Sequence, residues 1–260
     1  MDGPTETPEP GTGPRGGDLV RRHGWPTRVW HWINLAAVTV MLMSGLMIFN
    51  AHPRLYWGEY GSNAREYSDP AWLDLTGLSG RTAFPGWATI PTDYSLADAR
   101  LWHLAFAWVL ALAFTAYLLW LLIGGRARRD LTPSRSELAP GHLLSDIAQH
   151  ARLRFPKGAA ALRYNVLQKL AYFAVLFVLL PGVIMTGLTM SPGLNAAWPL
   201  LLDLFGGRQS ARSLHFLFAG GLVVFFVVHV AMVVLAGPFN EVRSMITGWY
   251  RLPRERGEEA

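Results

Sequence analysis

The sequence predicts an all-α fold: an integral membrane four-helix bundle with both termini on the cytoplasmic side. Three observations carry that prediction. Half of the 260 residues are apolar, and they collect in four blocks, 27–49, 99–123, 165–190 and 210–236, each near the ~20 residues that cross a bilayer as a helix. No block contains Asp or Glu. Lys and Arg crowd the connections of one side only. Backbone amides in lipid have no water to bond, so blocks of this kind must be helical.

In chain order, residues 1–20 are rich in Pro, Gly, Thr and acid and read as a disordered N-terminal tail. Without a signal-peptide n-region or cleavage site, the first block acts as an uncleaved anchor. Residues 21–252 form the transmembrane domain and 253–260 a C-terminal tail. Arg21, Arg22 and Arg28 precede or open the first span. Arg126, Arg128, Arg129, Arg135, Arg152, Arg154, Lys157 and Arg163 lie between the second and third, and Arg243, Arg251, Arg254 and Arg256 follow the fourth. The other two connections carry Arg54, Arg65, Arg81 and Arg208. The positive-inside rule then sets the orientation. The net charge of +5 faces anionic headgroups and gives no support to nucleic-acid binding. The long exterior connection 50–98, with Tyr56, Trp57, Tyr60, Trp72, Trp87 and Tyr94 among its aromatics, reads as an interfacial belt or as a docking surface for a partner. Residues 131–155 read as a Pro-broken stretch followed by a surface helix, and 238–252 as an amphipathic helix at the inner interface. No internal repeat is apparent.

The chemistry lies in histidines. The fourth span holds His215 and His229, fourteen residues apart, which places them within about 40° of one face and roughly 21 Å apart along the axis. His31 lies near the inner end of the first span and His103 near the outer end of the second. Antiparallel topology puts His103 level with His215 and His31 level with His229. Two pairs at two depths is the arrangement two bis-histidine haems need, and such ligation leaves no open iron position for a substrate. The competing reading is a set of hydrogen-bonded core histidines. Arg28, Arg100 and Arg212 each precede a histidine by three residues, where a guanidinium can hold a haem propionate or simply snorkel to the interface. Gly45, Gly182, Gly187, Gly220 and Gly221 suit either a flat macrocycle or close helix packing. His23 reads as exposed and His52 as part of the loop. With no cysteine there is no thiolate-bound iron–sulfur cluster and no thioether-linked haem. The absence of intramembrane carboxylates disfavours a proton relay or transporter.

The histidine pattern, with RVWHWIN, FNAHPRLYWG, RYNVLQKLAY, GLTMSPG, LFGGRQSARSLHF and GPFNEVRSMITGWY, resembles the bacterial cytochrome b561 / nickel–iron hydrogenase cytochrome b superfamily. That group includes the formate dehydrogenase gamma subunit, and the strings are nearest to thiosulfate-reductase-type cytochrome b subunits. The resemblance implies two haems b, the inner one on His31 and His229 and the outer one on His103 and His215. It further implies a quinone contact at Asn165, Gln168 and Lys169, where capping of the third helix is the alternative for Asn165. It also implies electron transfer between the quinone pool and an extracytoplasmic, molybdopterin-type oxidoreductase docked on residues 50–98, in a bacterial inner membrane. Two rivals are a free-standing cytochrome b561-type quinol oxidase and a cofactor-free membrane anchor.

Overall fold

The computed structural model describes residues 17–61, 70–152 and 164–252. In chain order these form β1 (Leu19–Arg21), α1 (Trp25–Asn50), β2 (Arg54–Leu55), β3 (Leu73–Asp74), α2 (Leu96–Ile123) and α3 (Pro140–Ala151). They continue with α4 (Val166–Met190), α5 (Pro192–Ala197), α6 (Leu200–Phe205), α7 (Arg208–Ala236), α8 (Pro238–Thr247) and β4 (Trp249–Arg251). The long helices α1, α2, α4 and α7 are each long and apolar enough to cross a membrane. They coincide with the four expected blocks to within three residues, and the differences have local causes. Pro26 lies in the first turn of α1, where its fixed φ favours helix and its missing N–H is no loss. The Ser95 hydroxyl caps α2 by accepting the Asp98 amide, which starts that helix before its apolar run.

α4 is not regular. Val175–Leu179 form a π turn inside it, directly before Pro181. A proline cannot donate to the carbonyl four residues back and its ring crowds that carbonyl, so the helix takes an extra residue into one turn. The expected surface helix of the second connection is α3. The amphipathic tail is α8, after which β4 pairs antiparallel with β1, Val20 opposite Tyr250. The main chain extends this clasp through Gly17 N–H to the Leu252 carbonyl and Leu252 N–H to the Asp18 carbonyl, both at 2.9 Å. Arg22 joins it by bonding Glu241 at 3.0 Å and lying over the Tyr250 ring. The chain ends are thus held together at one end of the bundle, called here the terminal end. The tail expected over 1–20 lies outside the described residues up to 16, and its last two residues belong to β1; 253–260 lie outside as well.

At the other end, the loop end, the 50–98 connection is strapped onto the start of α7. Gln209 and Ser210 donate their amides to the Gly58 carbonyl, at 3.0 and 3.2 Å. These are first-turn amides that have no partner within a helix. Gly207, at φ 99°, permits the approach: a Cβ there would sit 2.6 Å from the Gly58 oxygen. Ser213 accepts from the Trp72 indole at 2.9 Å and donates to the Tyr56 carbonyl at 2.5 Å. Asn50 clamps the Phe84 backbone from both sides, at 2.8 and 3.0 Å. A small core of Phe49, Leu55 and Ala83 fills the space beneath. The main core, with Trp30, Ala37, Leu110, Phe114, Leu121, Leu176 and Leu180, joins α1, α2 and α4. From Leu214 onward α7 has no fully buried residue, because it borders a cavity on one side and lipid-facing space on the other.

Ser213→Ala should leave the Trp72 indole and Tyr56 carbonyl unpaired in a dry site, at a cost of about 1–3 kcal/mol. The check is a lower melting temperature of the purified protein, with earlier proteolytic cleavage within 50–98.

Candidate functional site

A cavity of about 1550 Å³ runs within the bundle, lined from Arg22 and His23 at the terminal end to His103 and His215 toward the loop end. All four intramembrane histidines line it, and they meet as two pairs. The rings of His31 and His229 have centroids 6.3 Å apart with planes inclined at 58°. Those of His103 and His215 stand 6.2 Å apart at 62°. Each pair joins α7 to a different helix, α1 for one and α2 for the other. His229 stacks on Phe225 one turn before it, at 5.6 Å and 13°.

The loop-end pair is held by its outer edge. His103 Nδ1 lies 3.1 Å from the Met41 carbonyl and 3.1 Å from the Ser44 hydroxyl. A carbonyl only accepts, so Nδ1 carries the hydrogen and Nε2 presents its lone pair to the cavity. His215 Nδ1 lies 3.0 Å from the Thr186 hydroxyl. Gly45 and Gly187 follow these hydroxyl residues, and a Cβ on either would sit 3.3 Å from the Cε1 of the adjacent imidazole. The terminal-end pair differs: His31 Nδ1 is buried without a hydrogen-bond partner. Among the described residues no group of three or more His, Asp or Glu converges.

Sequence reasoning overlooked Ser44 and Thr186, and a signal was present. Met43-Ser44-Gly45-Leu46 matches Met185-Thr186-Gly187-Leu188, and Arg100-x-x-His103-x-x-Phe106 matches Arg212-x-x-His215-x-x-Phe218. An internal repeat therefore exists, contrary to the expectation of none, too short and too widely spaced to register as periodicity. Of the other glycines, Gly182 packs against Phe218 and Gly221 against Leu179, whereas Gly220 faces open space.

The three arginines are used otherwise than as a single set. Arg28 donates to the Ile246 carbonyl in the last turn of α8, where cations are favoured. Arg212 donates to the His52 carbonyl and so fastens the loop, while Arg100 is exposed. None of the three lines the cavity; the cations that do include Arg22 and Lys169. Asn165 and Gln168 form a reciprocal capping box at the start of α4, and neither lines the cavity. Lys169 does, and it bonds Glu137 at 2.8 and 3.0 Å. These bonds, with that of the Ser134 amide, hold the Glu137 carboxyl down to about 2. His23 corrects the expectation of an exposed side chain: it lines the cavity, and burial, followed by Arg22 and its other positive neighbours, lowers its pKa to about 4.

A family model described as prokaryotic cytochrome b561 matches residues 22–248. The chain belongs to that family. It is a haem-b electron-transfer subunit of the bacterial inner membrane, crossing it several times. Among curated relatives, a putative protein-methionine-sulfoxide reductase subunit YedZ1 of Azospira oryzae is 30% identical over 80% of this chain and 87% of its own length. Probable Ni/Fe-hydrogenase B-type cytochrome subunits of Cupriavidus necator and Azotobacter vinelandii are 22% and 24% identical, over 86% and 89% of the chain and 84% and 88% of their own lengths. No solved structure matches significantly. The imidazoles suit the cofactor. Centroids 6.2 and 6.3 Å apart leave room between the rings of each pair for a metal that either imidazole could bind at about 2.0–2.1 Å. A direct ring-to-ring hydrogen bond would bring them nearer, to roughly 5.3 Å.

Between pH 6.5 and about 4 His23 binds fewer protons in the folded chain than in the unfolded one. Its contribution is therefore complete above the ordinary value and declines as pH falls through that window. Thermal unfolding of the purified protein should show a melting temperature dropping below about pH 6.5, and His23→Gln should flatten that drop.

Proposed function

We propose that this cytochrome carries two haems b, one between His31 and His229 and one between His103 and His215, and passes electrons between quinone at the terminal end and an oxidoreductase bound at the loop end. The observation that carries the reading is the pair of ring spacings, 6.3 and 6.2 Å, at two depths of one bundle. Each haem would supply a one-electron ferric/ferrous couple. The chain's own residues do the rest. Helices α1, α2 and α7 hold the imidazoles, Gly45 and Gly187 keep the backbone clear of the loop-end rings, and the apolar lining excludes water.

The arginine-rich connections support a cytoplasmic terminal end. There the cavity is lined by His23, Glu137, Tyr164 and Lys169. The Lys169 ammonium is placed to donate to a quinone oxygen. His23, neutral at cellular pH, offers a ring nitrogen to accept a hydrogen bond from a quinol hydroxyl. Of the contacts implied by resemblance, Lys169 is therefore retained, while Asn165 and Gln168 shape the helix start that presents it. At the loop end Trp57, Tyr60, Trp87 and Tyr94 are exposed on the connection strapped over the loop-end pair. The relatives are named as a putative protein-methionine-sulfoxide reductase subunit and as probable Ni/Fe-hydrogenase cytochrome subunits, which supports a redox-enzyme partner; its docking on this surface and its molybdopterin type are what the resemblance implies.

Low-spin b-type absorption with two haems per chain is the expected result for purified protein; a colourless, folded preparation from haem-replete cells sinks the proposal. His31→Ala and His229→Ala should each remove the same haem, and His103→Ala and His215→Ala the other, read by redox titration of the variants. Lys169→Met should slow haem reduction by a short-chain quinol about tenfold with both haems retained, matching loss of one charge-assisted hydrogen bond of roughly 1.5 kcal/mol. An unchanged rate would move the quinone elsewhere. Deleting residues 54–94 should abolish partner-dependent turnover and spare quinol reduction, whereas a free-standing oxidase would keep its turnover.

A further inference from the structure

Ser44 and Thr186 are fully buried, on helices that supply, respectively, one imidazole to the other pair and none at all. Their surroundings are the same. Ser44 donates its hydroxyl hydrogen to the Val40 carbonyl, at 2.7 Å, and Thr186 to the Gly182 carbonyl, at 2.6 Å. In each case that is the carbonyl one turn back. With the hydrogen so engaged, each hydroxyl oxygen faces the neighbouring imidazole as an acceptor. The second acceptor of His103 is the Met41 carbonyl, three residues before the hydroxyl. Both Nδ1 atoms are therefore donors, that of His103 into two oxygens and that of His215 into the Thr186 hydroxyl.

We infer that Ser44 and Thr186 are positioning residues for the loop-end haem: they fix the Nδ1–H tautomer of His103 and His215 and lower that centre's reduction potential below the value it would have without them. The inference rests on the two-haem reading above. An imidazole that donates its far N–H is a more basic ligand, and a more basic ligand favours the ferric over the ferrous ion, so the potential falls. Among the described residues nothing equivalent supports the terminal-end pair, where His31 Nδ1 is buried without a partner. The two centres are thus tuned separately, by hydroxyls on helices that ligate at another depth or not at all. The repeated glycine after each hydroxyl is part of the same device, since a larger residue would push the ring off its acceptors.

The test is a redox titration of the purified full-length protein, followed in the b-type absorption and in the low-spin electron paramagnetic resonance signals, in wild type and in a His31→Ala background that retains the loop-end centre. Ser44→Ala leaves His103 the Met41 carbonyl, whereas Thr186→Val removes the hydroxyl acceptor of His215 and leaves that of His103 intact. Each should therefore raise the loop-end potential in part, the double variant should raise it further, and the terminal-end signal should stay where it is. Thr186→Ser and Ser44→Thr should titrate as wild type. The inference is overturned if the double variant keeps two haems with an unmoved loop-end potential, or if the terminal-end centre moves instead. Should Thr186→Val lose the loop-end haem, restoration of both haem and potential in Thr186→Ser upholds the inference, and failure to restore them defeats it. Wild-type protein without two haems would be a failure of the underlying two-haem reading, visible before any variant is titrated.

Discussion

An imidazole set among apolar helices is stabilised by a partner on each ring nitrogen, because an unpaired polar atom in such surroundings costs several kcal/mol; the loop-end rings have one, whereas His31 Nδ1 at the terminal end does not. That pairing organises this bundle. On the loop-end rings one nitrogen is bonded to oxygens of a neighbouring helix, and the opposite nitrogen looks into the cavity. The helix carrying those oxygens must come close, so it bears a glycine beside the ring and a hydroxyl folded back on its own backbone. Helices that could pack in many ways through Leu, Val and Phe alone are thereby registered in two pairs, α2 against α1 and α7 against α4.

The two ends of the molecule are built on different principles. The loop end is closed by hydrogen bonds from the first turn of α7 to the exterior connection and by Arg212 on the His52 carbonyl. The terminal end is charged and open to the cavity, with its cations already paired: Arg22 to Glu241 and Lys169 to Glu137. A closed end suits a fixed electronic contact with another protein, and an open one suits an exchangeable small molecule. The asymmetry of the fold thus parallels the asymmetry of the proposed reaction.

Much of this was legible in the sequence. Apolar block length gave all four spans, because hydrocarbon thickness constrains helix length directly. Counting residues from the helix ends gave the depth of each histidine, and antiparallel connection then fixed which would meet. What escaped depends on contacts across helices. Ser44 and Thr186 look like ordinary small residues until His103 and His215 are seen against them. Arg28 and Arg212 share a spacing from their histidines, yet one was taken by the carboxyl end of α8 and the other by the loop, neither of which has a periodic signature. The β1–β4 clasp is only three residues long, below the length at which alternation can be read. Asn165 carried both a cap signal and a ligand resemblance, and local backbone geometry decided its placement.

Both imidazole pairs draw one member from α7. The distance between the two clamps is consequently written into the rise of a single uninterrupted helix, like graduations on a rod. Bundle breathing or tilting of α1 and α2 can loosen either pair, but the separation of His215 and His229 stays that of the helix rise. In the proposed two-haem reading, a hop between centres would be insulated from fluctuations that a gap spanning two independent helices would feel.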